Sequence, residues 1–230
     1  MPVFGKGRAG KRVVEREILR IREISGSGST RRYLPQEKYG ATTTSLNEIR
    51  QLFHLLFSPK KPFSIPRQLK IRQRPLVVVD WGCGTGRAIS SLAIKFKENV
   101  HAYGFSKDSY KEWEDVREAK LIHAPAEDFF RYFKDESIDA LYSHLGLVHM
   151  APLGFDVDYG LRTKAIDYIA KVFRKISRGG LIAFDAPASG FFIEDLENRL
   201  GKQAKIIVIR GRVGSKIRDE IPIVYILKNM

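Results

Sequence analysis

Residues 77–88 read VVVDWGCGTGRA. An apolar run closes on Asp80, glycines follow at 82, 84 and 86, and helical spacing begins at Arg87. An unbroken run of β-branched residues marks a strand buried on both faces. Ile89, Leu92, Ala93 and Phe96 recur at i, i+3, i+4 and i+7, the pattern of an amphipathic helix. Strand, glycine turn and helix open a βαβ unit. That turn falls at the carboxyl end of its strand, where open α/β sheets bind ligands. Glycine lets the backbone reverse sharply and approach a ligand without a Cβ in the way. The unpaired N–H groups at a helix start favour a carboxylate or phosphate.

The same alternation continues to the C-terminus. Strands are expected at VHAYGF (100–105), KLIHA (120–124), SIDALYS (137–143) and GLIAFDA (180–186), then at 205–211 and 221–229. Helical periodicity falls between them, most clearly over 161–177, where Ala165, Ile166, Ile169, Val172, Phe173 and Ile176 recur. YKEWEDVREA reads as a polar helix and AEDFFRYF as a short one. Alternating strands and helices predict a mostly parallel sheet with helices on both faces. The short loop between the last two strands predicts an antiparallel pair.

Upstream, RVVEREILRIREI (12–24) reads as a basic amphipathic helix and ISGSGST (24–30) as a break. SLNEIRQLFHLLF (45–57) carries the capping-box pair Ser45 and Glu48 and predicts a helix packed on the main domain. PKKPFSIPRQLKIRQRP (59–75) has four prolines, six Lys or Arg and no acid. It reads as an extended basic connector, because proline disfavours helix at its own position and just before it. The expected division is therefore a basic helical N-terminal extension and connector over 1–75 and a main α/β domain over 76–230.

The net charge of +14 is uneven. Residues 1–75 hold 17 Lys and Arg against 5 acids, and the remainder 23 against 21. Such asymmetry suits a polyanionic partner or a solvated basic surface. Lys60, Lys61, Arg67, Lys70, Arg72 and Arg74 are the candidate nucleic-acid contacts, on charge alone, since no named RNA-binding motif is present. One cysteine, Cys83, rules out an intrachain disulfide, an all-Cys zinc site and a cysteine-ligated iron–sulfur cluster within one chain. No His/Asp/Glu cluster has metal spacing. Neither a membrane span nor a signal-peptide core is apparent, so a cytoplasmic protein is expected.

Several ligands can be set aside at the glycine turn. The dinucleotide pattern G-x-G-x-x-G is broken, with Arg87 in its last place, and no G-K-[ST] follows for a P-loop. An apolar strand, an acid and G-x-G-x-G resemble motif I of the class I S-adenosylmethionine-dependent methyltransferases. APAEDF (124–129), SIDALYSHLGLVHM (137–150) and RGGLIAFD (178–185) resemble that family's third-strand loop, fourth strand and fifth-strand entry. The resemblance covers roughly 76–230. It implies a Rossmann-like α/β fold with strand order 3-2-1-4-5-7-6, strand 7 antiparallel, and S-adenosylmethionine across the ends of strands 1 to 4. The implied cofactor-binding residues are Asp80, Gly82, Cys83, Gly84, Gly86, Phe105, Ser106, Ala126, Glu127 and Ser143. Gly82, Gly84 and Gly86 would pass under the amino-acid end, with Asp80 facing its ammonium. Two positions depart from the family. Ser106 stands where an acid usually bonds the ribose, with Asp108 two residues on. Pro125 stands where an acid often lies near the adenine, leaving Glu127 or Asp128 to substitute.

The methyl acceptor is poorly encoded. Methyl transfer needs an aligned nucleophile, an enclosed site and sometimes a base. Pyrimidine C5 chemistry uses a cysteine nucleophile, and Cys83 lies in the glycine turn. Amino-nitrogen methylation of bases uses [DN]-P-P-[YFW] after the fourth strand, where this chain has Ser143, His144, Leu145 and Gly146. YSHLGLVHM resembles the corresponding loop of the family's small-molecule branch, which makes His144 and His149 the candidate general bases. Tyr142 reads as core, and His54, His101 and His123 as structural. Three readings stay open: an RNA or ribosome-associated enzyme using the basic N-terminal region, a small-molecule enzyme with that region as a lid, and a non-catalytic assembly factor.

Overall fold

The computed structural model describes residues 45–61, 63–144, 159–185, 191–212 and 220–230. The helix expected over 12–24 lies outside them, as does His149. The described elements are α1 (Leu46–Leu52), α2 (His54–Phe57), α3 (Ile65–Arg72), β1 (Leu76–Trp81), α4 (Arg87–Phe96), β2 (Val100–Ser106) and β3 (Lys120–His123). They continue with α5 (Phe129–Tyr132), β4 (Ile138–Ser143), α6 (Tyr159–Lys175), β5 (Ile176–Asp185), α7 (Phe191–Leu200), β6 (Ala204–Arg212) and β7 (Glu220–Lys228). One seven-stranded sheet runs in the order β3-β2-β1-β4-β5-β7-β6. β1 to β5 pair in parallel, and β7 is antiparallel to β5 and β6. The expected fold class is the observed one.

Alternation along each strand sends successive side chains to opposite faces. Val79, Trp81, Phe105, Leu141, Ile182 and Phe184 face α5, α6 and α7. Leu76, Val78, Ala140, Tyr142, Leu181 and Ala183 face α1 to α4. Ile49, Leu52, Phe53, Leu56, Phe57 and Ile65, expected within the N-terminal extension, are buried in this second cluster with the sheet.

Three local expectations are corrected. The stretch 59–75 is not extended throughout, because Ile65–Arg72 is helical. Pro66 sits in the first turn, where no intrahelical N–H is required, and the Ser64 side chain accepts from the Arg67 N–H as a cap. YKEWEDVREA forms only a short 3₁₀ stretch at Lys111–Asp115. β5 begins at Ile176 rather than 180, with Gly179 at φ +69° and a register shift against β4 where SRGG suggests a loop.

The amino ends of the strands are tied by one buried carboxylate. Asp139, at the start of β4, accepts from Arg72 Nη1 (2.7 Å), Arg74 Nη1 and Nη2 (both 2.8 Å), the Val77 N–H (2.9 Å) and Ser177 Oγ (2.8 Å). Arg72 also donates to the Arg178 carbonyl and, through Nε, to Gln68 Oε1 at 2.7 Å. Arg72 and Arg74 are thus engaged in an ion network with Asp139, Arg74 with 46% of its side chain still exposed. The Arg74 guanidinium is pushed up by its bonds to Asp139. Lys60, Lys61, Arg67 and Lys70 are exposed.

Candidate active site at the carboxyl edge of the sheet

The glycine turn leaves β1 under backbone control from β2. The Phe105 carbonyl accepts from the N–H groups of Gly82 (2.7 Å) and Cys83 (3.2 Å). Gly82, Gly84 and Gly86 have φ of +86°, +51° and +77°, a region that penalises a Cβ. Trp113 Nε1 donates to the Gly84 carbonyl at 2.8 Å and steadies the loop from outside. Gly86 is the N-cap of α4, and a Cβ there would lie 2.9 Å from Leu121 Cδ1.

Parallel register brings the other strand ends level with this turn. Asp80 is paired with Gly104 and Tyr142, Ser106 with His123, and Ser143 with Phe184. Asp80 is 4% exposed, and burial pushes its carboxyl up to about 7, against smaller lowering effects from Tyr142 and His144. The Tyr142 hydroxyl faces Asp80 but is fully buried and makes no hydrogen bond of ordinary geometry. Burial and the Asp80 charge both push this phenol upward.

Other expected cofactor residues serve the site through backbone or packing. Cys83 is buried, and its thiol is pushed up by burial and by Asp80. Its Sγ would be 2.8 Å from a Cβ on Gly104, so it fills the space that glycine leaves. The Phe105 ring is core, 5.9 Å from Trp81 and edge-on to Phe129 at 5.1 Å. Ser106 is buried, and its Oγ accepts from the Asp108 N–H at 3.2 Å. The Ala126 carbonyl accepts from the Tyr168 hydroxyl at 2.8 Å, while Glu127 is exposed. Ser143 Oγ donates to the Trp81 carbonyl at 2.7 Å and fastens the ends of β1 and β4 together.

His144 follows directly. Its Nδ1 lies 3.2 Å from Oδ2 of Asp185, the last residue of β5. The imidazole also interacts with Asp80 and with Glu48 of α1. Glu48 is held by the Ser45 backbone N–H (2.6 Å) and hydroxyl (2.8 Å), and these bonds, followed by His144 and Arg87, lower its carboxyl. The capping box of α1 is therefore within electrostatic range of His144, and the Phe53 and Tyr142 rings, which join α1 and α2 to β4, are 6.1 Å apart. Sequence reading missed Asp185, whose signal was an acid closing an apolar strand as Asp80 does. It also missed Trp113, which carried no signal. Among the described residues no group of three or more His, Cys, Asp or Glu is arranged to hold a metal, and no helix is long and apolar enough to cross a membrane.

Residues 79–184 match a family described as a methyltransferase domain. The fold is similar to that of the plantazolicin methyltransferase BamL, solved with a triazolic desmethyl analogue and S-adenosylhomocysteine. Identity is 14% and the TM-score 0.52, over 94% of this chain and 91% of that one. The plantazolicin methyltransferase BpumL, solved with a pentazolic analogue and S-adenosylhomocysteine, is similar at 13% identity and TM-score 0.52, over 95% and 98%. No curated protein sequence matches the chain. Residues 79–184 thus resemble a methyltransferase domain, and both of those solved structures hold S-adenosylhomocysteine, the product form of S-adenosylmethionine. The site suits that group. Three glycines leave the turn bare, and a buried carboxyl raised to about 7 would be stabilised in its charged form by a cation such as that cofactor's ammonium.

Proposed function

We propose that this enzyme methylates a small molecule bound between His144 and the wall formed by α1 and α2. S-adenosylmethionine supplies a methyl group already activated on a sulfonium. Gly82, Gly84, Gly86 and Asp80 hold its amino-acid end, and Ser106 and Asp108 meet the ribose. His144 acts as general base toward the acceptor, since a neutral imidazole carries a ring nitrogen whose lone pair can take the proton. The observation that carries this reading is that His144 leaves β4 at the same strand edge as the glycine turn, two residues past Tyr142, which pairs with Asp80.

The deciding experiment is calorimetric titration of S-adenosylhomocysteine into wild type and Gly84→Val. Micromolar binding by wild type, lost in the variant, is the expected result. Absence of binding to well-folded wild type would reduce the reading to a non-catalytic methyltransferase-like domain. A second reading, RNA contact, is favoured by exposed cations such as Lys60, Lys61, Arg67 and Lys70 in a stretch without acids. If they meet four phosphates of a single strand, log affinity should fall with log salt at a slope of about −3. A flat salt dependence would remove RNA from consideration.

A further inference from the structure

His144 and Asp185 belong to different strand ends, 41 residues apart, yet the ring nitrogen and the carboxylate oxygen meet at 3.2 Å. Asp185 is 3% exposed and His144 15%, so water does little to screen the pair. A carboxylate has only acceptor sites, so a neutral imidazole facing it must place its hydrogen on Nδ1. Nε2 is then left with a lone pair. Among the described residues, the other ionisable groups in electrostatic range of the ring are Asp80 from β1 and Glu48 from α1, and Arg87 of α4 acts in turn on Glu48.

Resting on His144 being the base, we infer that Asp185 is a positioning residue that fixes the Nδ1–H tautomer, and that the acceptor is a group that loses a proton. The acceptor's O–H or N–H bond breaks and its proton bonds to Nε2. The electron pair left on the acceptor forms the bond to the methyl carbon, and the carbon–sulfur pair departs with the sulfur. Asp185 then offsets the charge of the imidazolium. An acceptor without a proton, such as a thioether or a pyridine-type nitrogen, has no use for such a pair.

The test is long-range proton–nitrogen NMR of the full chain, ¹⁵N-labelled at histidine, with and without S-adenosylhomocysteine. His144→Gln assigns the ring signals. Wild type should show His144 mainly as the neutral Nδ1–H tautomer at mildly alkaline pH. Asp185→Asn should weaken that preference at least fivefold, because an amide can either donate or accept, and Asp185→Glu should restore part of it. Affinity for S-adenosylhomocysteine should stay within about threefold in both variants. An Nε2–H tautomer in wild type, or an unchanged tautomer in folded Asp185→Asn, would overturn the inference. The failure of wild type to bind S-adenosylhomocysteine would instead overturn the base role on which it rests. If Asp185→Asn does not fold, the wild-type tautomer and the Glu variant still decide.

Discussion

At the scale of single residues, Asp80 carries the sharpest consequence. Its carboxyl is raised from 3.8 to about 7 by burial. Between about pH 4 and 7 the folded protein therefore binds more protons than the unfolded chain. Stability of the empty protein falls as pH rises through that window and levels off above it. The cost is on the order of 2–4 kcal/mol. Asp80→Asn does not ionise, so at pH 8 it should melt several degrees above wild type, at about 2–4 °C per kcal/mol. The same variant should lose at least tenfold in S-adenosylhomocysteine affinity. A melting point at or below wild type would contradict the burial argument. In wild type, affinity should weaken as pH drops below about 7, by up to about tenfold per unit, because a protonated Asp80 cannot face an ammonium. Calorimetry at pH 6 and pH 8 reads this directly, and equal affinities would refute it. Asp80 and its glycines were legible in sequence because they are consecutive. Asp185 was not, since its meaning comes from a histidine that only the β4–β5 pairing brings near. The structural part of Phe105 was not legible for a related reason: its carbonyl shapes the turn while its ring is core.

At the scale of elements, the tightest joint is between β2 and the glycine turn. A Cβ on Gly104 would lie 2.6 Å from Leu121 Cδ2 and 2.8 Å from Cys83 Sγ. Gly104→Ala should cost about 1–3 kcal/mol by overpacking. Cys83→Ala should recover part of that loss, and a double-mutant cycle by denaturant melts measures the coupling. Strict additivity would place the clash elsewhere. The start of α1 is a second joint. Ser45→Ala removes the cap and should cost about 1 kcal/mol. It also frees Glu48 beside His144, so acceptor affinity should change more than cofactor affinity, a split that steady-state kinetics would resolve. The capping box was readable from Ser45 and Glu48 alone. The α3 helix was not, because four prolines outweighed a serine cap that is recognisable only once Pro66 is known to fall in the first turn. Periodicity located α1 but did not show which face of the sheet it covers.

At the scale of the whole molecule, the strand order was legible through family resemblance, whereas the packing role of residues 45–65 was only partly so. Six of their apolar side chains are buried with the sheet. Fully burying one such side chain stabilises by about 1.5–3 kcal/mol, so removing all six costs about 9–18 kcal/mol, comparable to the whole typical stability of about 5–15 kcal/mol. A chain beginning at residue 76 should therefore fail to fold, while one beginning at 41 should melt cooperatively. Circular dichroism of the two separates these outcomes, and a cooperative melt of the shorter chain would make residues 45–75 a true appendage. At the opposite pole, Asp139→Ala strands two arginines and should cost about 3–5 kcal/mol.

That carboxylate network also has a direction in time. Arg72 and Arg74 are made 67 and 65 residues before Asp139, and Ser177 is made 38 residues after it. At about 5–20 residues per second, the arginines leave the ribosome roughly 3–13 seconds ahead of their counter-charge. Free guanidinium groups wait comfortably in water, whereas a carboxylate entering the middle of a sheet does not. The order of synthesis thus delivers the tolerant partners first, and both arginines are already available when the carboxylate emerges.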